Sequence, residues 1–338
     1  MCNFTQVMKI VIDRAIPFLE GVFEPFAEVA YLEGRAISAA DVRDAEALIV
    51  RTRTRCDASL LAGSRVRLIA TATIGFDHID MNWCRAHGVI VTTAAGCNAR
   101  GVLQWVAATL ALMAEREGFV PQQRTLGIVG VGSVGRLVKE YAEAWGFRVL
   151  CCDPPREARE HLGFLSLEEV MEQSDILTLH VPLNATTHHM IHRENVALLH
   201  SGATIINASR GEVVATEALL RKDLQCAVDV WENEPNIDAR LLDKAFVATP
   251  HVAGYSLQGK ANASAMSVRA VASFLGMPLM NWYPEGVEHS SPKEISWEQM
   301  CGLIGEFCDL KKESEPLKCG TADFESLRNR YAYRREFF

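Results

Sequence analysis

The sequence predicts an α/β fold built on two parallel, doubly wound sheets, and two observations carry that prediction. Short apolar runs alternate with helical stretches through most of the chain, and they form two series separated by one long helical stretch. Repeated strand–helix units of this kind build parallel sheets covered by helices. Because 338 residues exceed the length of one typical compact core, we expect two such domains and a small appended unit.

The first series contains four predicted strands. Each is a short apolar run rich in β-branched residues. The four runs span 8–13, 47–50, 67–73 and 89–92. Apolar residues then recur at helical spacing over 101–117, which predicts a long helix able to bridge two domains. Residues 1–7 precede a second methionine, Met8, and receive no role.

The second series contains six predicted strands, the number found in a complete doubly wound nucleotide-binding domain. They span 125–130, 147–153, 176–180, 203–207, 225–229 and 246–249. An alanine-rich helical stretch over 257–275 then returns the chain to the first domain. The predicted organisation is a discontinuous first domain (8–99 and 258–280), an inserted second domain (100–257) and a C-terminal unit (281–338).

The composition is that of an ordinary globular protein. Hydrophobic residues make up 49% and charged residues 22%, which excludes a disordered chain. The net charge of −8 argues against a nucleic-acid-binding protein. We expect no membrane span, because no run of eighteen apolar residues occurs, and no export signal, because no basic patch near residue 1 is followed by an uninterrupted apolar stretch. The ten cysteines include no CxxC pair, so a reducing cytoplasm is predicted.

A glycine-rich turn opens the second series. Gly130, Gly132 and Gly135 fit the pattern G-x-G-x-x-G with Ser133 and Val134 between them, and the helix that follows offers amide donors to a pyrophosphate. Asp153 ends the next strand 18 residues after Gly135, which suits hydrogen bonds to an adenosine ribose and disfavours a 2′-phosphate. These features predict NAD rather than NADP, although a simple turn cap at Asp153 remains open.

Three further strand ends carry candidate catalytic groups. Arg210 can hold a substrate carboxylate with two parallel hydrogen bonds, and His251 can move a proton near neutral pH. Glu234 can orient the imidazole and stabilise its charged form. Together they predict a dehydrogenase of a small 2-hydroxy acid, in which Asp229 holds the nicotinamide carboxamide. Taken singly, each residue also fits a structural or surface role.

Hydrolase and metal chemistry are disfavoured. The chain has neither a G-x-S-x-G elbow nor an H-E-x-x-H motif. His188, His189 and His192 form a cluster that lacks an obvious acidic partner, so we expect these side chains to be exposed and no metal to be bound.

Four ordered motifs resemble those of the D-isomer-specific 2-hydroxyacid dehydrogenases. They are the glycine-rich turn, Ala208–Gly211, Asp229–Pro235 and the pair Pro250–His251. The resemblance implies two Rossmann-like domains, the first binding substrate and the second binding NAD. It also implies cofactor contacts from Ala208, Ser209, Arg210, Asp229 and Gly254. Val181 occupies a cofactor position where such enzymes often have threonine, which would weaken one hydrogen bond without changing the reaction.

Within that family, the chain is most similar to the members that oxidise 4-phospho-D-erythronate in pyridoxal phosphate biosynthesis. The similarity lies in the segments 96–98, 152–156 and 250–256 and in the tail 323–337. It implies a homodimer formed through the C-terminal unit, and substrate contacts from Thr52, Thr73 and Tyr255. The substrate phosphate needs a cation, and Arg51 beside a strand end is our choice. If the strand continues, Arg53 and Arg55 share its face; a solvated charge cluster is the alternative for both.

Two other functions stay open. One is a dehydrogenase or reductase of another 2-hydroxy acid, of the phosphoglycerate or glyoxylate type. The other is an NAD-sensing scaffold resembling a transcriptional corepressor, which would bind NAD without turnover. The complete set of Arg210, Glu234 and His251 favours an enzyme.

Overall fold

The computed structural model describes residues 8–320 and 323–338; the segment 1–7 lies outside the described residues. The chain divides into two compact units. Unit 1 contains the described residues up to Asn98 together with Leu257–His289, and unit 2 contains Ala99–Ser256 together with Ser290–Phe338. The structure thus groups 290–338 with the second unit. A separate C-terminal dimerisation unit over 281–338 stays a prediction.

The described residues form eleven strands, numbered in chain order. They are β1 (Lys9–Asp13), β2 (Glu28–Leu32), β3 (Ala47–Val50), β4 (Leu68–Thr71), β5 (Ile90–Thr93), β6 (Thr125–Val129), β7 (Arg148–Cys152), β8 (Ile176–Leu179), β9 (Thr204–Asn207), β10 (Gln225–Val228) and β11 (Val247–Ala248).

The same residues form thirteen α-helices. They are α1 (Ala39–Val42), α2 (Ala58–Leu61), α3 (Met81–Ala86), α4 (Ala99–Glu117), α5 (Ser133–Trp145), α6 (Pro154–Glu160), α7 (Leu167–Gln173), α8 (Thr216–Leu219), α9 (Ala239–Lys244), α10 (Leu257–Leu275), α11 (Trp297–Phe307), α12 (Leu310–Lys318) and α13 (Phe324–Asn329). Within the described part of the chain, none is long and apolar enough to cross a bilayer.

Unit 1 is built on a five-stranded parallel sheet in the order β2-β1-β3-β4-β5. The central strands β3 and β4 are completely buried, which explains their continuous apolar sequences. Strand β2 was missed from the sequence. It is a half-exposed edge strand whose short apolar run over 29–32 follows Glu28, and a short apolar run does not by itself distinguish a strand from a helical segment.

Unit 2 is built on a six-stranded parallel sheet in the order β11-β10-β9-β8-β6-β7, as expected for a Rossmann-like domain. All six predicted strands are present. Helix α4 begins unit 2 and packs against α5 and α11, burying Trp105. Because every strand is parallel, the segments that follow β6, β9, β10 and β11 all leave the sheet at one edge, where doubly wound sheets bind ligands.

Strand β3 does not continue through the three arginines, which was the condition for their sharing one face. The strand ends at Val50, and the chain then turns, with the Thr54 amide donating to the Arg51 carbonyl at 3.1 Å. Arg55 pairs with Asp57 at 2.6 Å. The alternation of side chains that would place Arg51, Arg53 and Arg55 on one face therefore stops after the strand end.

Candidate active site

The glycine-rich turn of unit 2 has the geometry that a dinucleotide requires. Gly130 has a φ of +87°, and a Cβ atom there would lie 2.6 Å from the His180 carbonyl oxygen. A Cβ on Gly135 would collide with the Gly130 carbonyl, so this glycine permits close helix–strand packing. A Cβ on Gly132 would instead enter open space at the start of α5, where no side chain caps the helix amides. That open space and those amide donors fit a pyrophosphate.

Asp153 serves the turn and the following helix together. Its Oδ2 accepts a hydrogen bond from the Val131 amide at 2.8 Å, and its Oδ1 accepts from the Arg156 amide at 3.0 Å, which caps α6. The capping role considered from the sequence is therefore present alongside the position expected for a ribose-binding acid. Val181 lies against the same turn, because its Cγ1 would be 2.8 Å from a Cβ on Gly130. These residues fit NAD.

Glu234 and His251 form a hydrogen-bonded pair at the edge of the sheet. The Nδ1–H of His251 donates to Glu234 Oε2 at 2.8 Å, which leaves Nε2 for a substrate proton. The side chains are 26% and 20% exposed, respectively, so the pair is shielded but reachable. His251 has a φ of +59°, and this left-handed backbone costs roughly 1–2 kcal/mol, which surrounding contacts must offset.

Glu234 is held as a carboxylate. Burial raises its pKa, but the hydrogen bond from His251, the charge of that imidazole, the Trp231 amide and Arg328 together bring the pKa below its usual value. The Trp231 amide donates to Oε1 at 2.9 Å, and the Arg328 guanidinium lies 3.9 Å from Oε2. An ionised Glu234 can stabilise an imidazolium at His251.

Arg210 follows β9 in a segment shaped by Asn207. The Asn207 side-chain oxygen accepts from the amide and hydroxyl of Ser209, and its Nδ2 donates to the Arg210 carbonyl at 2.9 Å. Arg210 Nη1 donates to the Ser209 carbonyl at 2.7 Å; its other N–H groups bond to no other described residue. Ala208 is half-buried at the same turn. The fork of Arg210 is therefore available to a carboxylate.

Asp229 is buried and engaged with its own surroundings. Its oxygens accept from Thr249 Oγ1 at 2.6 Å and from the amides of Val252 and Ala253 at 2.8 and 2.9 Å. Burial raises the pKa of Asp229 despite these donors. The structure thus shows Asp229 organising the segment around His251, a role that the sequence did not suggest. The predicted contact of Asp229 with the nicotinamide carboxamide would use carboxylate lone pairs that these three donors leave unoccupied.

Tyr255 and the C-terminal segment lie together. Arg328 Nε donates to the Tyr255 hydroxyl oxygen at 3.3 Å, and the Tyr255 ring packs edge-on against Tyr331 and Tyr333. Gly254, just before it, packs against Gly101, where a Cβ would lie 3.4 Å from the Gly254 carbonyl carbon. Sequence reasoning missed Arg328. The tail's arginine-rich composition was visible, but nothing in it distinguished the arginine that reaches Glu234.

Unit 1 carries the other predicted substrate residues. Arg51 Nε donates to Asp13 Oδ2 at 2.9 Å, and Asp13 is fully buried, so part of the charge of Arg51 is already neutralised. Thr52 is exposed. The Thr73 hydroxyl donates to the Gly75 carbonyl at 2.9 Å and lies 2.6 Å from the Thr71 hydroxyl.

The prediction that the histidine cluster lacks acidic partners is wrong. His189 Nε2 lies 2.6 Å from Glu232 Oε1, and His192 Nδ1 lies 2.6 Å from Glu194 Oε2. Glu232 is 43 residues from His189 and could not be matched to it by spacing. Among the residues that the structure describes, no group of three or more His, Cys, Asp or Glu side chains could hold a metal ion.

Comparison with known proteins agrees with this geometry. Residues 100–253 match the family described as the NAD-binding domain of D-isomer-specific 2-hydroxyacid dehydrogenases. The chain is 43% identical to an erythronate-4-phosphate dehydrogenase of Bacteroides fragilis, with 97% of each chain covered. It is 40% identical to the enzyme of that name from Ectopseudomonas mendocina, over 97% of this chain and 93% of the relative. The NAD-bound 3-phosphoglycerate dehydrogenase of Entamoeba histolytica superposes with a TM-score of 0.68 at 26% identity, covering 84% of this chain and all of that one.

The chain belongs to the D-isomer-specific 2-hydroxyacid dehydrogenases and, within them, to the family of the erythronate-4-phosphate dehydrogenases. It is an NAD-dependent oxidoreductase, so the predictions of enzyme class, fold class and cofactor are confirmed.

Proposed function

We propose that the protein oxidises 4-phospho-D-erythronate at C2 to 3-hydroxy-2-oxo-4-phosphooxybutanoate, a step of pyridoxal 5′-phosphate biosynthesis. The observation that carries the proposal is the His251–Glu234 pair at 2.8 Å, on the sheet edge that also bears Arg210 and the glycine-rich turn. The choice of this acid rests on the relatives, two of which are named for the same substrate and match 97% of the chain.

His251 and Arg210 divide the work on the substrate. Arg210 pairs with the C1 carboxylate and polarises the neighbouring C2 oxygen. His251 Nε2 takes the proton of the C2 hydroxyl, and the electron pair of that O–H bond forms the C2 carbonyl as the C2 hydrogen departs as hydride. NAD, when bound, accepts that hydride. Glu234 holds the imidazole by Nδ1–H and stabilises the charge that it acquires.

The remaining residues are proposed as binding groups. Those for substrate are Arg51, Thr52, Thr73 and Tyr255. Those for NAD are Gly130, Gly132, Ser133, Val134, Gly135, Asp153, Val181, Ala208, Ser209, Arg210, Asp229 and Gly254. The support is their position in the family motifs and the open cradle at Gly132. We also propose that the protein is a homodimer, which sedimentation of the purified protein tests. We propose a cytoplasmic location as well, which the free thiols of the nine described cysteines support.

One assay separates the candidate functions. Purified protein is mixed with NAD and 4-phospho-D-erythronate, 3-phosphoglycerate or glycolate, with a 2-oxo acid as final acceptor, and the nicotinamide absorbance is followed. The proposal expects 4-phospho-D-erythronate to give the highest kcat/KM; equal or higher values for another acid would replace it with the broader dehydrogenase. NAD binding without turnover of any acid would instead favour the sensing scaffold.

The His251→Asn variant tests the proton transfer. Asparagine can still form a hydrogen bond but cannot accept the hydroxyl proton, so kcat should fall by about 10²-fold or more. NAD affinity, measured by quenching of protein fluorescence, should stay near that of the parent. Turnover close to the parent rate would remove His251 from the mechanism.

A further inference from the structure

The segment that carries His251 is held from two opposite sides. On one side, Asp229 accepts hydrogen bonds from the backbone amides of Val252 and Ala253. On the other side, Arg334 Nη2 donates to the backbone carbonyls of the same two residues, at 3.0 and 2.6 Å. The peptide group between Val252 and Ala253 therefore has its carbonyl on a guanidinium and its N–H on a carboxylate.

This arrangement restrains the peptide group in a way that one contact cannot. A peptide C=O and its N–H lie in the peptide plane and point in opposite directions, so the two charged groups lie at opposite edges of the peptide group and together oppose its rotation. His251, directly before it, has the unfavourable φ of +59°. Hydrogen bonds to charged groups are among the stronger ones in proteins, and these are shielded from solvent because Asp229 and Arg334 are both buried. Asp229 and Arg334 thus supply contacts that offset the cost of the left-handed backbone at His251.

Arg334 is itself firmly placed. Only 8% of the residue is exposed, and its Nη1 contacts Cys308 Sγ at 2.8 Å and Glu313 Oε2 at 3.3 Å. A short β-bridge joins Arg334 to Ser256, and the Ser256 hydroxyl donates to Glu336 at 2.7 Å. The final residues of the chain thus lie against the segment that follows His251.

We propose that Arg334 is a positioning residue of the dehydrogenase. It acts through the backbone of Val252 and Ala253 to keep His251 in the conformation in which Nδ1–H meets Glu234. The C-terminal segment then has a part in turnover within its own chain, separate from any role in dimer formation. The inference rests on the proposed role of His251, and the test below separates the two.

The test compares Arg334→Met and Arg334→Lys with the parent. Methionine removes both donors while keeping an unbranched side chain, and displacement of a reacting group by about 1 Å can cost up to 10²-fold in rate. We expect kcat to fall by roughly tenfold or more, with the dissociation constant of NAD changed by less than about threefold. Lysine keeps the charge but loses the planar guanidinium, so the kcat of Arg334→Lys should lie between those of the parent and of Arg334→Met.

Two controls exclude a general structural effect. Arg335→Met alters the neighbouring, exposed arginine and should retain the parent kcat. Ile304→Ala opens a cavity at a buried position of α11 and should lower Tm without lowering kcat at temperatures where the protein is folded. If Arg334→Met does not fold, the kcat of Arg334→Lys is compared with that of Ile304→Ala. Parent-like kcat in the folded Arg334 variants, or an equal loss in Ile304→Ala, overturns the proposal.

A spectroscopic readout needs no substrate. The hydrogen-bonded Nδ1 proton of His251 should give a low-field ¹H NMR signal in the parent, identified by its loss in His251→Asn. We expect this signal to broaden or vanish in Arg334→Met and to persist in Arg335→Met. An unchanged signal in Arg334→Met would overturn the positioning role. Failure of the parent to oxidise 4-phospho-D-erythronate, with the signal behaving as expected, would overturn only the proposed substrate.

Discussion

Replacing Glu234 by glutamine tests the pair at the centre of the site. One carboxylate oxygen accepts from His251 Nδ1 at 2.8 Å, and the other accepts from the Trp231 amide at 2.9 Å. A glutamine side chain has a single oxygen, so it can satisfy only one of these donors and turns an NH₂ group toward the other. The substitution therefore removes the negative charge and at least one hydrogen bond, while the volume stays the same.

The expected loss follows from these contacts. A hydrogen bond to a charged group contributes about 1.5–3 kcal/mol, which corresponds to roughly 10- to 150-fold in rate. The Coulomb energy of a charge pair at 4 Å, about 4 kcal/mol at an effective dielectric constant of 20, sets an upper limit. Because both side chains are partly exposed, solvent screens the pair and the lower half of the range applies. We expect Glu234→Gln to lower kcat/KM by roughly 30-fold.

The assay follows NADH formation with 4-phospho-D-erythronate and, in reverse, NADH consumption with a 2-oxo acid. Glu232→Gln is the matched control, because Glu232 lies on the same loop and also contacts a histidine, His189, and a backbone amide, that of Thr216. It lies outside the His251 pair and should stay within about twofold of the parent. A Glu234→Gln variant within about threefold of the parent, or an equal loss in Glu232→Gln, would refute the reasoning.

Three other substitutions give independent predictions. Asp153→Ala should raise the NADP/NAD ratio of kcat/KM, because it removes a charge that repels a 2′-phosphate; an unchanged ratio counts against the assignment. Arg328→Met should raise the pKa of Glu234, because it removes a cation 3.9 Å away, and the acid limb of the pH–kcat/KM profile should move to higher pH. Arg51→Met should lower kcat/KM for phosphorylated substrates more than for unphosphorylated ones, and equal losses reject the phosphate role. The ratio of kcat/KM for the two kinds of substrate is measured, since loss of Arg51 also leaves buried Asp13 without its cation.

Strong periodic patterns made most of the fold predictable. The six strands of unit 2 follow from apolar runs, most of them buried, and the long helices α4 and α10 follow from helical spacing and composition. The edge strand β2 was missed although its residues 29–32 are apolar, because so short a run does not by itself distinguish a strand from a helical segment. The strand β3 was predicted with its end at Val50, but the turn after it was beyond the pattern, since that turn depends on backbone hydrogen bonds rather than on side-chain hydrophobicity.

The site was predictable only where function restricts residue type. Glu234 and His251 were paired from their chemistry and their strand ends, and the structure brings them to 2.8 Å. The contacts of Arg334 with the carbonyls of Val252 and Ala253 were not predictable. They join residues 82 and 81 positions apart through backbone atoms, and backbone recognition imposes no residue pattern on the chain.

Two carboxylates near His251, Asp229 and Glu234, have pKa values displaced in opposite directions, and this separates their roles. Burial raises the pKa of Asp229, whose oxygens are occupied by Thr249 and by two backbone amides. The pKa of Glu234 is lowered although it too is largely buried, because its main donor is an imidazole that gains charge during the reaction. A counter-charge is useful to His251 only if it stays ionised while the imidazole takes up a proton, and Glu234 meets that condition. Asp229 acts on His251 through the backbone, so its substitution should disturb geometry, whereas substitution of Glu234 should disturb the proton transfer itself.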